Sequence, residues 1–146
     1  MKVVITDGGR EAAGYGNLKG DCVVRAIAIA TGKPYQEVRE ALTDLTRKHE
    51  RHGRGSKGKG LSNVSNGVYR QTYERYLKSL GWKFTPTMAI GSGCKVHMRE
   101  DELPKGTIIV FVSQHLVTVI DGVVHDLSDP CRDGTRCVYG YYSKGT

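Results

Sequence analysis

The sequence predicts an α+β fold in which N-terminal helices pack on a C-terminal antiparallel sheet. Apolar residues recur at helical spacing between residues 21 and 80, whereas short β-branched runs separated by turn signals dominate from residue 107 onward. Helices that precede the strands, instead of alternating with them, are typical of this fold class. A length of 146 residues and a hydrophobic content of 38% predict one domain covering residues 1–146.

The first helix is predicted over Asp21–Thr31. Asp21 is a favourable N-cap residue, because its carboxylate can accept hydrogen bonds from the free N–H groups of the first turn. Gly32 suits the position that follows the last helical turn. One face of this helix is apolar and comprises Val23, Ala26, Ile27 and Ala30.

Two more helices are predicted before the strands. The second begins within Lys33–Glu37 and fades near Lys48, and the third spans Asn66–Leu80. The third has a tyrosine-rich stripe, which more often forms core than a binding platform. The apolar stripes comprise Tyr35, Val38, Ala41, Leu42 and Leu45 in the second helix, and Val68, Tyr69, Tyr73, Tyr76, Leu77 and Leu80 in the third.

The strands follow from alternation and from turn residues. Asp121-Gly122 is a strong hairpin signal, and it sets a register in which Thr118 opposes His125. Val3–Ile5 is predicted to add an edge strand or an extended arm. The remaining predicted strands are Trp82–Thr85, Thr107–Val112, His115–Ile120, Val123–Leu127 and Cys137–Tyr142.

A basic, glycine-rich segment, Arg47–Lys59, follows the second helix. We expect a flexible surface loop within residues 46–65, because the segment has no apolar anchors. The alternative is a contact with a nucleic-acid backbone or an acidic protein, which the net charge of +7 also favours. The segment has no interleaved aromatic residues, so base stacking is not indicated.

The four cysteines form no CxxC pair. No apolar run is long enough to span a membrane, and Met1–Asp7 is too short and turns polar too soon for a signal peptide, so we expect a cytoplasmic protein with free thiols and no membrane contact. Two alternatives stay open. One is a Cys131–Cys137 disulfide in an exported protein, and the other is a zinc site formed by Cys94, His97, Cys131 and Cys137. The favoured interpretation includes no metal and no cofactor.

Three residues predict a site for thiol chemistry. Cys22 lies in the first helical turn, where open N–H groups and the helix dipole favour a thiolate. His115 opens a strand, so its ring can face a cleft at the strand end. The hairpin register places Asp126 diagonally from His115 and on the same face of the sheet.

The roles follow from this arrangement. Cys22 is the predicted nucleophile, His115 its base and later the acid, and Asp126 the group that orients the ring. The oxyanion is expected to bind the Cys22 backbone N–H and a side-chain amide, for which Asn17 is a better candidate than Gln114. The competing interpretation makes Cys22 an apolar residue of a buried helix and His115 a structural histidine.

These motifs resemble the papain-like cysteine peptidase superfamily. The resemblance rests on Gly20-Asp21-Cys22 entering a helix, on the histidine strand Gln114–Val119 and on the hairpin Asp121–Asp126. It is strongest with small bacterial and phage-type domains, including the bacteriocin-leader peptidases with their Asp-Cys pair. It implies a papain-like domain that cleaves peptide or isopeptide bonds through a Cys-His-Asp triad and a thioester, in a bacterium or a phage-infected cell.

The sequence also departs from that family. Members commonly carry a glutamine about six residues before the nucleophile, where this chain has Gly16, with Asn17 next to it. Asp129 is a rival for the third role, because some relatives use an Asp-Pro pair further along the chain. The departures leave a second interpretation open, namely an inactive papain-like module, phage-encoded, that binds a host protein. A transferase that uses the same thioester is a third.

Overall fold

A computed structural model describes residues 1–16, 20–50, 61–65, 67–89 and 91–144. Its helices are α1 (Cys22–Thr31), α2 (Tyr35–His49) and α3 (Arg70–Ser79), and a short 3₁₀ turn covers Glu100–Glu102. Its strands are β1 (Lys2–Ile5), β2 (Trp82–Pro86), β3 (Thr107–Val112), β4 (His115–Ile120), β5 (Val123–Asp126) and β6 (Val138–Lys144). The α+β class predicted from the sequence is therefore confirmed.

The six strands form one sheet in the order β1-β5-β4-β3-β6-β2. The predicted hairpin register is confirmed, since Thr118 pairs with His125 and Ile120 with Val123. Asp121 and Gly122 have φ angles of 48° and 80°. Two successive positive φ angles are the signature of the tight turn that favours Asp-Gly between twisted strands.

The prediction of a purely antiparallel sheet is wrong, because the sheet is mixed. β1 is an edge strand that pairs with β5 in parallel, with Lys2 opposite Val123 and Ile5 opposite Asp126. Parallel pairing of distant segments requires a long crossover, which here contains the three helices and strands β2, β3 and β4. Nothing local to Val3–Ile5 could reveal that partner.

The helices agree with prediction within a few residues. α1 ends at Gly32, whose φ of 73° is the left-handed conformation that glycine adopts easily. α3 begins at Arg70, four residues after the predicted start at Asn66. Its tyrosine stripe is core as predicted, since Tyr73 and Tyr76 are buried.

The sheet is buried on both faces. The helices cover one face through a cluster that includes Ile27, Leu42 and Leu77. The other face packs against Met98, Leu103 and Cys131, which come from the segments around the 3₁₀ turn and before β6. Strands with two covered faces need apolar side chains at nearly every position, and β3 (TIIVFV) has them.

Cys94 and Cys137 form a disulfide, with their Cα atoms 5.8 Å apart. The interpretation of all four cysteines as free thiols is therefore wrong for these two. The alternative pairing of Cys131 with Cys137 is also wrong, since Cys131 is a buried free thiol. The new pairing joins the segment before the 3₁₀ turn to the start of β6, where His97 and Cys137 also form an isolated bridge.

Most of the basic segment, residues 51–60, lies outside the described residues, and so do Asn17 and Asn66. The base of that segment is described. Glu50, at the end of α2, accepts hydrogen bonds from the Ser62 backbone N–H, the Ser62 hydroxyl and the Thr72 hydroxyl. Among the described helices, none combines the length and the apolar composition that crossing a bilayer requires.

Candidate active site

Cys22 is the first residue of α1 and is half-buried. α1 is fixed to the sheet by the buried Thr118 hydroxyl, which donates to the Ala26 carbonyl at 2.6 Å. The backbone N–H of Leu116 is among the groups that lower the pKa of the Cys22 thiol. The sulfur therefore lies between the start of a helix and the start of β4, among groups that favour its anion.

His115 connects Cys22 to Asp126. Its Nε2 lies 2.6 Å from Asp126 Oδ2, and the ring is close enough to the Cys22 side chain for Cys22 to raise the pKa of His115. Since Nε2 is engaged by the carboxylate, Nδ1 is the nitrogen available to the sulfur. The structure thus brings together the three residues that the sequence singled out, in the order sulfur, imidazole, carboxylate.

The electrostatics of these groups are coupled. Burial alone would raise the pKa of the Cys22 thiol, but the hydrogen bond and charge of His115 outweigh it, and the pKa is lowered. Burial would lower the pKa of His115, but Asp126 and Cys22 raise it to about 9. The pKa of Asp126 is lowered against the effect of burial, chiefly by His115. All three shifts favour a thiolate–imidazolium pair over two neutral groups.

A buried ion cluster lies behind the carboxylate. Arg25 Nη1 contacts Asp126 Oδ1 at 2.7 Å, and its Nε contacts Asp21 Oδ1 at 3.0 Å. Asp21 also receives Arg10 Nη1 at 3.2 Å and the Tyr35 hydroxyl at 2.8 Å. Two guanidinium groups therefore face two carboxylates, and each of these four side chains is at most 10% exposed.

Asp21 occupies the N-cap position of α1 as predicted, but the capping role expected of its side chain is wrong. Its side chain makes no capping hydrogen bond to α1, and its φ and ψ angles are −96° and 19°. The residue is completely buried, and both carboxylate oxygens are used by the cluster. A capping residue and a buried counter-ion share the same sequence signal, and Arg25 and Arg10 decide between the two roles.

Asp129, the alternative third residue of the triad, lies away from the His115 ring. Asp129 is exposed, and its carboxylate accepts the Cys131 backbone N–H at 2.8 Å, so Asp126 is the carboxylate that contacts the ring. Of the two oxyanion candidates, Asn17 lies outside the described residues. Gln114 is exposed in the turn before His115, with a φ of 55°.

The zinc interpretation is wrong for the proposed ligands. Cys94 and Cys137 are bonded to each other, and His97 Nδ1 faces Glu102 Oε1 at 3.1 Å. Cys131 is buried against Met1. Within the described ranges, no three His, Cys, Asp or Glu side chains are grouped so that they could hold a metal ion.

An aromatic cluster packs against the same core as Cys22. Phe111 pairs with Leu116, and Phe111 and Cys22 both pack at the border of one core cluster. Phe84 lies 6.5 Å from Phe111 between ring centroids, and the Arg70 guanidinium covers both rings at 4.5 and 4.9 Å. Sequence reasoning missed this cluster, because its members come from α3, β2 and β3.

Compared with protein-family models, with curated proteins and with solved structures, the chain matches none. The function must therefore be argued from the site itself.

Arg25 and Arg10 are the charged residues of this region that the sequence did not reveal. Arg25 stands one turn after Cys22, in a helix whose other faces are apolar. A charged residue within a buried helix is rarely left unpaired, and this was the one available signal. Its partners, 4 and 101 residues away along the chain, could not be read from the pattern.

Proposed function

We propose that the protein is a papain-like cysteine hydrolase that cleaves a peptide or isopeptide bond. The observation that carries the proposal is the grouping of Cys22, at a helix start, with His115, whose ring lies 2.6 Å from the buried Asp126 and whose pKa Cys22 helps to raise. Thiol hydrolases need a sulfur of lowered pKa beside a base whose ring is held by a third group. The coupled pKa directions described above meet that requirement.

In the first half of the reaction, the Cys22 thiolate attacks the substrate carbonyl carbon. The π electrons of the carbonyl bond move onto the carbonyl oxygen. The Cys22 backbone N–H, at the open end of α1, donates to that oxyanion. As the intermediate collapses, the carbon–nitrogen bond breaks and the His115 imidazolium gives its proton to the departing amine. A thioester to Cys22 and a neutral imidazole remain.

In the second half, His115 removes a proton from water while the water oxygen attacks the thioester carbon. Collapse of this second intermediate breaks the carbon–sulfur bond and releases the carboxylic acid product. Asp126 keeps the ring in one tautomer and stabilises the imidazolium in both halves. An amine that took the place of water would make the same site a transferase.

The first test uses a thiol-reactive alkylating probe, because it needs no knowledge of the substrate. A Cys131→Ser background leaves Cys22 as the one free thiol apart from the disulfide pair. We expect rapid labelling at neutral pH that His115→Ala slows by at least about tenfold, since a pKa change of one unit alters the thiolate fraction tenfold. Slow labelling that His115→Ala leaves unchanged would refute the proposal and favour the inactive binding module.

The second test asks for turnover. Incubation with a diverse peptide library, followed by mass spectrometry, should reveal cleavage by the native chain and none by Cys22→Ala. His115→Ala should abolish cleavage as well. Asp126→Asn should keep residual activity, because the ring remains in place while its tautomer and charge are no longer fixed. A reactive Cys22 without any turnover would point to a transferase or to a narrower substrate class.

A further inference from the structure

Arg25 occupies the space between two carboxylates with different tasks. Its Nη1 donates to Asp126 Oδ1 and its Nε to Asp21 Oδ1, so one planar guanidinium spans both. The Leu127 backbone N–H also donates to Asp126 Oδ1, at 2.7 Å. Oδ1 is therefore held by Arg25 and the backbone, and Oδ2 is left to His115 at 2.6 Å.

We propose that Arg25 is a positioning residue of the active site, which fixes the Asp126 carboxylate for His115 and is itself fixed by Asp21. This inference rests on the hydrolase proposal, because it assigns Arg25 a part in the same site. A guanidinium offers donors in a rigid fork, so Nε on Asp21 and Nη1 on Asp126 fix the two carboxylates relative to each other, and the Leu127 N–H is the second donor to Asp126 Oδ1. Arg25 contacts Asp126 and Asp21, so its influence on the ring passes through Asp126.

Asp21 is the anchor of the arrangement. It is fully buried, and its three donors come from three segments of the chain: Arg25 from α1, Tyr35 from α2 and Arg10 from the N-terminal loop. The loop also touches the helix at Gly8, where an added Cβ would lie 3.2 Å from the Arg25 carbonyl oxygen. The orientation of Arg25 is thus determined by packed elements on every side.

The charges around Arg25 balance. The charged groups that contact it are Asp21 and Asp126; Arg10 and the Tyr35 hydroxyl lie beyond Asp21, and the Cys22–His115 pair lies beyond Asp126. Two cations oppose two anions, and the Cys22–His115 pair is neutral overall whichever group holds the proton. Loss of Arg25 leaves one buried negative charge in excess, and this disfavours the Cys22 thiolate.

The experiment measures the rate of Cys22 alkylation over a series of pH values, in the Cys131→Ser background. Arg25→Gln should shift the onset of labelling to higher pH and slow labelling at neutral pH by about tenfold, the effect of one pKa unit. Arg75→Gln is the matched control, because Arg75 is exposed on α3 and lies outside the cluster. Its labelling curve should coincide with that of the parent.

A double-mutant cycle separates positioning from an independent effect. If Arg25 acts through Asp126, then Arg25→Gln combined with Asp126→Asn should label at the rate of Asp126→Asn alone. Additive losses would overturn the inference. If instead the parent is labelled slowly and His115→Ala does not change that rate, the hydrolase proposal fails. The two failures are therefore distinguishable.

A charge-balanced double variant serves as the control for folding. Arg25→Gln leaves one buried negative charge in excess, whereas Asp21→Asn combined with Arg25→Gln removes one charge of each sign. We expect the double variant to fold, as judged by circular dichroism, and still to show the raised onset of labelling. A folded double variant with the parent's curve would overturn the inference, and so would loss of folding in both variants, which would assign the cluster to stability alone.

Discussion

The protonation state of the site depends on His115, which contacts Asp126 and Cys22 through its ring. The pKa of His115 is raised to about 9 from 6.5, so the folded protein holds a proton that the unfolded chain has lost between these pH values. That contribution to stability is complete below pH 6.5 and is lost as the pH rises through about 9.

Cys22 acts in the opposite sense, because its lowered pKa makes the folded protein release a proton over part of the same range. The two effects partly cancel in the native protein. Cys22→Ala should therefore lose stability more steeply than the native chain as the pH rises above 6.5, by about 1–2 kcal/mol in total, because Asp126 still holds the pKa of His115 above its ordinary value. Urea unfolding at several pH values measures this difference. In the double variant Cys22→Ala with His115→Gln, the stability should not change with pH over this range. Parallel profiles for the native chain and Cys22→Ala would contradict the coupling.

The two free thiols should differ sharply in reactivity. Cys131 is 2% exposed, and burial together with Asp129 raises the pKa of its thiol to about 12. In the folded protein at neutral pH, an alkylating reagent should modify Cys22 and leave Cys131 intact. Peptide mapping by mass spectrometry identifies the modified residue. Equal modification of both thiols would show that the cover over Cys131 opens readily.

At the scale of elements, the Cys94–Cys137 disulfide joins two segments separated by 43 residues along the chain. A cross-link of that span stabilises by about 2–4 kcal/mol, in the account that assigns the effect to the unfolded chain. Cys94→Ser with Cys137→Ser should lower stability by that amount, as measured by urea denaturation without reductant. With reductant present, the native chain and the double variant should converge; a persistent difference would mean that the serines disturb packing.

Gly140 is required by the packing of β2 on β6. A Cβ at this position would lie 2.2 Å from the Phe84 ring and 2.8 Å from the Thr85 carbonyl oxygen, so Gly140→Ala must displace both. We expect a loss of about 1–3 kcal/mol, the usual cost of overpacking. Gly16→Ala is the control, since nothing lies within 4 Å of its added Cβ. The midpoints of thermal unfolding of both variants measure the effect. An unchanged midpoint for Gly140→Ala would contradict the packing described.

At the scale of the whole molecule, the net charge is +7, and four basic residues, Arg51, Arg54, Lys57 and Lys59, lie in residues 51–60. Because Glu50 and Ser62 are hydrogen bonded, a short Gly-Ser linker can replace those residues without moving the ends. The variant should keep the parent's Cys22 labelling rate. If the segment contacts nucleic acid, salt-dependent retention on DNA should weaken in the variant. Retention that is equal in both proteins would exclude that role.

Much of the architecture follows from local pattern. Short β-branched runs and an Asp-Gly turn define the hairpin of β4 and β5, and with it the relation of His115 to Asp126. Helical periodicity and Gly32 define α1, and so place Cys22 at a helix start. These are short-range effects of backbone sterics and side-chain spacing, which the sequence carries in full.

The sequence by itself determined the fold class, the register of the hairpin and the three candidate residues. Tertiary structure alone decided the parallel pairing of β1, the Cys94–Cys137 partnership and the conversion of Asp21 from a cap into a buried counter-ion. The physical reason is the distance along the chain over which each interaction acts. Turn geometry and periodicity act over a few residues, whereas Arg25 meets Asp126 only after 101 residues of chain have folded between them, and burial then makes that charge pairing necessary.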